Sequence, residues 1–359
     1  MLRYLPFAKR VLFRSGPPVH LTLFVTGACN LRCRHCFHWR EVADGVPGPT
    51  LEDVRRLADS AARLGPLLWV AFGGGEPFLR TDLPELARAF ARHGLRHLSI
   101  PTNGLVERQH DAAERIVREN PDTFLNVSVS FDGPPEVHDA IRQVPGGHAR
   151  SLEATRRLKA LSRRHANLGV GVIVTVTREN QGVLARHVEE LVDELAPDQV
   201  TVNLARSDAL DPTLLEVDLA RYREVVQRKQ ALQRSGKLPG FGHPLGRLVA
   251  ARDDLLYERV EAVASGAARP HLPCTAGTLS AVVFEDGKVR ACEILGKELG
   301  NLNEVGWDLG RLWHAAPARN LRNEIRETRC ACTWECAQGD NVLFRARSWP
   351  ELVGRAVVS

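Results

Sequence analysis

No apolar run in this chain approaches the roughly 20 residues that a membrane-spanning helix needs. The start of the chain shows neither the uninterrupted apolar core nor the small-residue cleavage site of a secretory signal. No block of five or more lysines and arginines occurs. The net charge of +5 is carried almost wholly by arginine, and nothing marks nucleic acid as a partner. Cysteine is sparse, but the 8 present fall into two groups. With no secretion signal, such grouping reads as metal ligation in a reducing compartment rather than a disulfide framework. The expected location is therefore the cytoplasm. What remains is an ordinary soluble composition, 44% hydrophobic and 25% charged, over 359 residues. That is long enough for one large α/β domain and a smaller one.

Residues 1–18 interleave Leu2, Tyr4, Leu5, Phe7, Val11, Leu12 and Phe13 with Arg3, Lys9, Arg10 and Arg14. Such a basic amphipathic lead can make weak peripheral membrane contact, or it can pack against the edge of the fold. The second is the expectation, because one short helix with few charges binds membrane weakly. From 19 to 205 strand and helix alternate. Strands are expected at 20–25, 67–72, 96–100, 124–131, 169–176 and 198–203, each rich in Val, Leu, Ile or Phe, as buried parallel strands are. Helices are expected at 50–64, where Thr50 followed by Asp53 makes a capping-type start, and at 81–93, 108–120, 148–165 and 180–195. Six β–α units are too few for a closed eight-stranded barrel. The expected α/β fold is a partial (β/α)6 TIM-like barrel with its site at the C-terminal ends of the strands. Residues 206–272 lose this rhythm. Helical patterns at 216–235 and 244–265 suggest a linker that covers part of the barrel mouth.

The first cysteine group follows strand one: Cys29, Cys33 and Cys36, spaced C-x3-C-x2-C. Three thiolates on one short loop can hold three irons of a cubane cluster, whereas fully ligated clusters use four cysteines. The fourth iron would be left open, as catalytic metal sites are. A zinc knuckle completed by His38 is the rival account, and a disulfide with a spare thiol is a weaker one. After strand two comes Gly74-Gly75-Glu76-Pro77, after strand three Thr102-Asn103-Gly104, and after strand four Ser130-Phe131-Asp132-Gly133. His138-Asp139-Ala140-Ile141-Arg142 follows.

The cysteine loop and the glycine-rich turn together resemble the radical S-adenosylmethionine (SAM) superfamily. The resemblance implies that the open iron is chelated by SAM, that one electron cleaves a carbon–sulfur bond of SAM, and that a 5′-deoxyadenosyl radical then takes a hydrogen atom from substrate. It implies that Gly74, Gly75, Glu76 and Pro77 hold the SAM amino group, with Glu76 as the acceptor. Asn103 would face SAM, Ser130 and Asp132 would approach its ribose or carboxylate, and Arg142 would pair with the carboxylate. Each has an ordinary alternative: a βα turn, helix capping, or a surface ion pair.

The second group is Cys274, Cys292, Cys330, Cys332 and Cys336. Between the first two, Asp286-Gly287 separates strand-like runs and signals a hairpin. A helix is expected at 317–327. This region, 273–359, resembles the SPASM/Twitch extension of radical SAM enzymes, with Gly287 to Cys292 matching its Gly-x4-Cys element. Five cysteines suit one auxiliary [4Fe-4S] cluster. Cys274 and Cys292 are the first ligands, Cys332 and Cys336 next, and Cys330 or Cys332 is spare and able to act as a second hydrogen donor. Four of the five could instead hold zinc. The expected partners are a peptide or small-molecule substrate and a reductant such as flavodoxin or ferredoxin. Ribosomal peptide modification is the leading function (crosslinking, thioether formation or epimerisation). Radical modification of a small metabolite or lipid is the alternative, and a non-catalytic iron–sulfur or zinc sensor is the reading from another class.

Overall fold

The computed structural model describes residues 16–240, 246–267 and 272–358, together with Phe7 and Arg10. The reading of 1–18 as an amphipathic lead therefore lies largely outside the described residues. Phe7 itself is buried in a small cluster with Val19, Leu279 and Phe344.

Six parallel strands form the barrel wall: β1 (His20–Thr26), β2 (Trp69–Gly74), β3 (His97–Thr102), β4 (Phe124–Ser130), β5 (Leu168–Val176) and β6 (Gln199–Leu204). Their order is sequential, and each pairs with the next in parallel register. The helices between them are α1 (Trp39–Asp44), α2 (Leu51–Leu64), α3 (Leu83–Ala91), α4 (Gln109–Glu119), α5 (Pro135–Arg142), α6 (Gly147–Ser162) and α7 (Leu184–Leu195). Thr50 and Asp53 form the reciprocal capping box that starts α2. The strands alternate as a half-buried sheet does. Leu21, Leu23, Val70, Phe72, Leu98 and Ile100 lie buried beneath the helices. The opposite face carries Thr22, Ser99, Asn126, Thr201 and Asn203, all half-buried. The strands were expected to be buried throughout; their inner face instead lines a polar lumen.

The open edge of β6 would expose unpaired backbone groups. It is capped by side chains from α9 (Gly246–Ser265), which with α8 (Leu219–Arg234) makes up the helical region after the barrel, and from α12 (Glu335–Phe344). The Tyr257 hydroxyl accepts from the Val202 N–H at 3.1 Å, and Glu335 Oε1 accepts from the Leu204 N–H at 2.8 Å. Gln199 donates to Asp253 at 3.0 Å. Asp253 also receives the fully buried Lys229 at 2.9 Å and Arg252 at 2.5 Å.

β7 (Ser280–Val283) pairs in parallel with β1, on the side away from β2, and β8 (Lys288–Arg290) and β9 (Glu298–Asn301) continue antiparallel from it. The hairpin turns at Gly287, whose φ of 84° favours glycine. The C-terminal extension is thus a continuation of the barrel sheet. α10 (Leu309–Trp313), α11 (Ala316–Glu327), α12 and α13 (Trp349–Val358) complete it.

One contact sets the start of the cysteine loop. The Gly75 N–H donates to Thr26 O at 2.7 Å and the Glu76 N–H to Ala28 O at 2.9 Å. A Cβ on Gly75 would sit 2.1 Å from Ala28 O, and one on Gly74, whose φ is 106°, would sit 2.2 Å from Thr26 O. Only glycine lets these two backbones meet.

Two outcomes follow from these contacts. Gly75→Ala should lower the thermal midpoint and the iron retained after reconstitution; an unchanged midpoint and iron content would refute the contact. Asp253→Ala leaves Lys229 buried without its carboxylate and should cost about 3–5 kcal/mol in urea unfolding.

Candidate active site

The first cysteine group lies at the C-terminal end of β1. Its loop is tied on three sides. Asn30 Oδ1 accepts from Asn103 Nδ2 at 2.7 Å, the Arg34 N–H donates to Ile141 O at 2.8 Å, and Arg34 O accepts from the Asp211 N–H at 2.7 Å. These ties come from the turn after β3, from α5 and from the segment after β6. All three cysteines are free thiols. Burial pushes Cys33 up to about 12 and Cys36 up to about 11, and raises Cys29. A bare thiolate is costly here, so deprotonation and metal binding are linked. The Leu31 N–H donates to Cys29 Sγ at 3.5 Å, as backbone donors do to cluster sulfurs.

Glu76 is buried, and desolvation lifts its carboxyl to about 7, against the donors around it. Oε1 accepts from the Phe78 N–H at 3.1 Å and from the Thr102 hydroxyl at 3.0 Å; Oε2 accepts from the Asn103 N–H at 2.8 Å. The residue expected to receive a SAM ammonium thus also welds the β2 and β3 turns together. Pro77 follows it, buried, at the start of a single 3-10 turn. Ser130 ends β4 half-buried.

Asp132 does not stand free for a ribose. Its Oδ2 takes Arg142 Nε at 2.7 Å and its Oδ1 takes the Thr175 N–H at 3.3 Å, with His35 Nε2 at 3.8 Å. Both members of the Arg142–Asp132 pair are buried. Desolvation opposes both charges, but each partner's field wins: Asp132 stays below the usual carboxylate range and Arg142 above its own. The Arg142 charge also acts on Cys29, Cys33, Cys36 and Glu76. Asp132 therefore positions a cation beside the cysteine loop. His138 supports the pair by accepting the Asp132 N–H at 3.2 Å.

His38, the candidate fourth zinc ligand, is turned away. Its Nε2 lies 2.9 Å from Glu285 Oε1 and its Nδ1 3.4 Å from Glu41.

In the second group, Cys274, Cys292, Cys330 and Cys332 lie near enough to act on one another's charge. Cys332, pushed up to about 12 by burial, feels Cys274, Cys292 and Cys330; Cys274, pushed up to about 11, feels Cys330 and Cys292. The Ala276 N–H donates to Cys274 Sγ at 3.5 Å and the Leu295 N–H to Cys292 Sγ at 3.4 Å. Cys274, Cys292 and Cys332 each accept from a backbone N–H, and four free thiols are the ligand number of a four-iron cluster, although among the described residues no three such groups already stand gathered as a metal site. On Cys336, pushed up to about 12 by burial, the charges acting most are Glu293, Arg206, Asp340 and Glu335. The spare cysteine was expected to be Cys330 or Cys332; both belong to the set whose charges act on one another, whereas those acting most on Cys336, at the start of α12, are not cysteines.

Helix α12 gave no sequence signal, because its buried face is polar. It nonetheless holds the second group. Gln338 donates to Cys332 O at 2.7 Å, Asn341 accepts from the Thr275 N–H at 2.7 Å, and Arg345 donates to Pro273 O at 2.8 Å. Asn30, Arg206 and Glu293 were also missed. Only Glu293 carried a hint, since it directly follows Cys292.

A family profile described as the Radical SAM superfamily matches residues 23–197. An AdoMet-dependent heme synthase of Oleidesulfovibrio alaskensis is 33% identical over 48% of this chain and 42% of its own length. A PqqA peptide cyclase of Granulibacter bethesdensis is 27% identical over 84% of this chain and 75% of that protein. The fold is similar to Streptococcus suis SuiB bound to the precursor peptide SuiA, with TM-score 0.60, 15% identity, and cover of 89% of this chain and 70% of that one. The chain spans less than half the length of the first curated relatives it matches, 42% and 44%. The matched residues, their barrel and the cysteine loop at its top agree: the domain of residues 23–197 is a member of the radical SAM superfamily, whose cofactors are SAM and a [4Fe-4S] cluster.

Proposed function

We propose that this protein is a radical SAM enzyme that modifies a peptide, with one [4Fe-4S] cluster on Cys29, Cys33 and Cys36 and an auxiliary one on Cys274, Cys292, Cys330 and Cys332. The observation that carries the reading is the β1–β7 pairing. It ties the hairpin flanked by Cys274 and Cys292 directly to the strand whose C-terminal end carries Cys29, Cys33 and Cys36, which supports a substrate held in the barrel lumen between the two groups. When bound and reduced, the SAM-and-cluster pair supplies a carbon-centred radical that takes a hydrogen atom from substrate.

The chain's own residues bind and orient. Cys29, Cys33 and Cys36 hold three irons. Glu76 and the Gly74–Gly75 backbone accept the amino group of SAM. Arg142, held by Asp132, meets its carboxylate, and Asn103 and Ser130 border it. A cluster held by Cys274, Cys292, Cys330 and Cys332 would accept an electron from the substrate or hold it in place, and a flavodoxin or ferredoxin would supply the first electron. A peptide substrate is supported by the likeness to the PqqA peptide cyclase and to SuiB with its precursor peptide. The polar inner face supports it too, because its hydroxyl and amide side chains can satisfy a peptide backbone. No helix among the described residues is long and apolar enough to cross a membrane.

Anaerobic reconstitution with iron and sulfide, then reduction in the presence of SAM, should release 5′-deoxyadenosine. Cys33→Ala should reduce that release to background. Cys292→Ala should retain SAM cleavage while losing turnover of the peptide. Release that survives in Cys33→Ala would defeat the assignment.

A further inference from the structure

The C-terminal hairpin is fastened at its tip to the first cysteine loop. β7 pairs with β1 from His20 and Ser280 to Leu23 and Val283, so the chain past Val283 continues toward the strand end that carries Cys29, Cys33 and Cys36. Phe284 packs there on Phe24 of β1, with ring centroids 4.9 Å apart, and Val282 completes a small buried cluster with them. The next residue, Glu285, places its Oε1 2.9 Å from Nε2 of His38. His38 lies two residues past Cys36, and its ring stands edge-on to Phe24 at 4.7 Å. Its backbone N–H donates to Cys36 Sγ, and its carbonyl accepts from the Val42 N–H at 3.1 Å, opening α1. One histidine thus joins a sulfur of the first group, the first turn of α1 and the tip of the hairpin.

The Glu285 side chain is 1% exposed and that of His38 4%. A carboxylate buried to this degree is costly unless it is paired. Among the described residues only His38 pairs it, and Glu285 Oε2 is left buried with no hydrogen-bond partner. A residue that merely stabilised the hairpin tip would do so better as an apolar side chain, like Phe284 beside it. The other ring nitrogen of His38 lies 3.4 Å from Glu41, whose side chain is exposed. That contact is longer and open to water, so Glu285 is what fixes the ring.

We propose that Glu285 is a positioning residue for the first cysteine group: through His38 it sets the place of Cys36, so that the hairpin flanked by Cys274 and Cys292 also braces the loop of Cys29, Cys33 and Cys36. This rests on the assignment of a cluster to that loop. Groups that hold a ligand-bearing segment from behind tune how firmly the metal is kept. Both cysteine groups then depend on one hairpin, the first at its tip and the second at its base.

The test uses the full chain, reconstituted with iron and sulfide and then reduced. Electron paramagnetic resonance with and without SAM separates a SAM-responsive signal from an indifferent one, and a ferrous chelator is titrated against both. Glu285→Ala should lower by about tenfold the chelator concentration that halves the SAM-responsive signal, and should leave that of the indifferent signal within about twofold. Glu285→Gln keeps an acceptor for His38 and should bring the SAM-responsive signal back to within about twofold of the unaltered protein. Equal resistance of that signal in Glu285→Ala and the unaltered protein would overturn the proposal. So would equal losses of both signals in Glu285→Ala, the mark of a hairpin that has only loosened, or a Glu285→Gln protein as sensitive as Glu285→Ala. A SAM-responsive signal absent from the unaltered protein itself would refute the cluster on Cys29, Cys33 and Cys36, so that failure is told apart from a failure of the brace.

Discussion

The site depends on a backbone contact. Thr26 and Ala28, at the end of β1, offer their carbonyls to the amides of Gly75 and Glu76, at the end of β2. This fixes where Cys29 begins its loop, and it does so only because positions 74 and 75 have no Cβ. The same turn delivers Glu76, whose carboxylate then locks the turn after β3. Asn103, on that turn, reaches back to Asn30 inside the cysteine loop. Three strand ends are thereby closed into one unit before any cofactor is considered, and rigid support of this kind is what a precise site needs.

Electrostatics divides the space around that unit. On one side Arg142 is held by Asp132 and brings a positive charge to buried thiols that are costly to ionise alone. On the other, the helices that cap β6 supply Glu335 and Asp340, which neutralise Arg206 and His20. Buried pairs of this sort add little to stability, but each is strongly destabilising when half of it is removed.

Much of this was legible in the sequence. The six strands stood out because their outward faces are unbroken Val, Leu, Ile and Phe, and observed bounds lie within about two residues of those expected. The α2 capping box and the Asp286–Gly287 hairpin were readable because each is local chemistry. The cysteine groups were visible as spacing. What was hidden is long-range. Helix α12 buries Glu335, Gln338, Asp340 and Asn341, a pattern that looks exposed until β6 and the Cys274 loop are placed against it. The engagement of Asp132 by Arg142 and the hold of Glu335 on Leu204 and Arg206 depend on three-dimensional neighbours that no periodicity reports.

The central claim is that two four-iron clusters exist and that only the one on Cys29, Cys33 and Cys36 has an iron open to SAM. Electron paramagnetic resonance of the reduced, reconstituted protein, recorded before and after SAM is added, tests this most directly. Two overlapping signals are predicted, one that shifts on addition of SAM and one that does not. A single signal, or two that both ignore SAM, would contradict it.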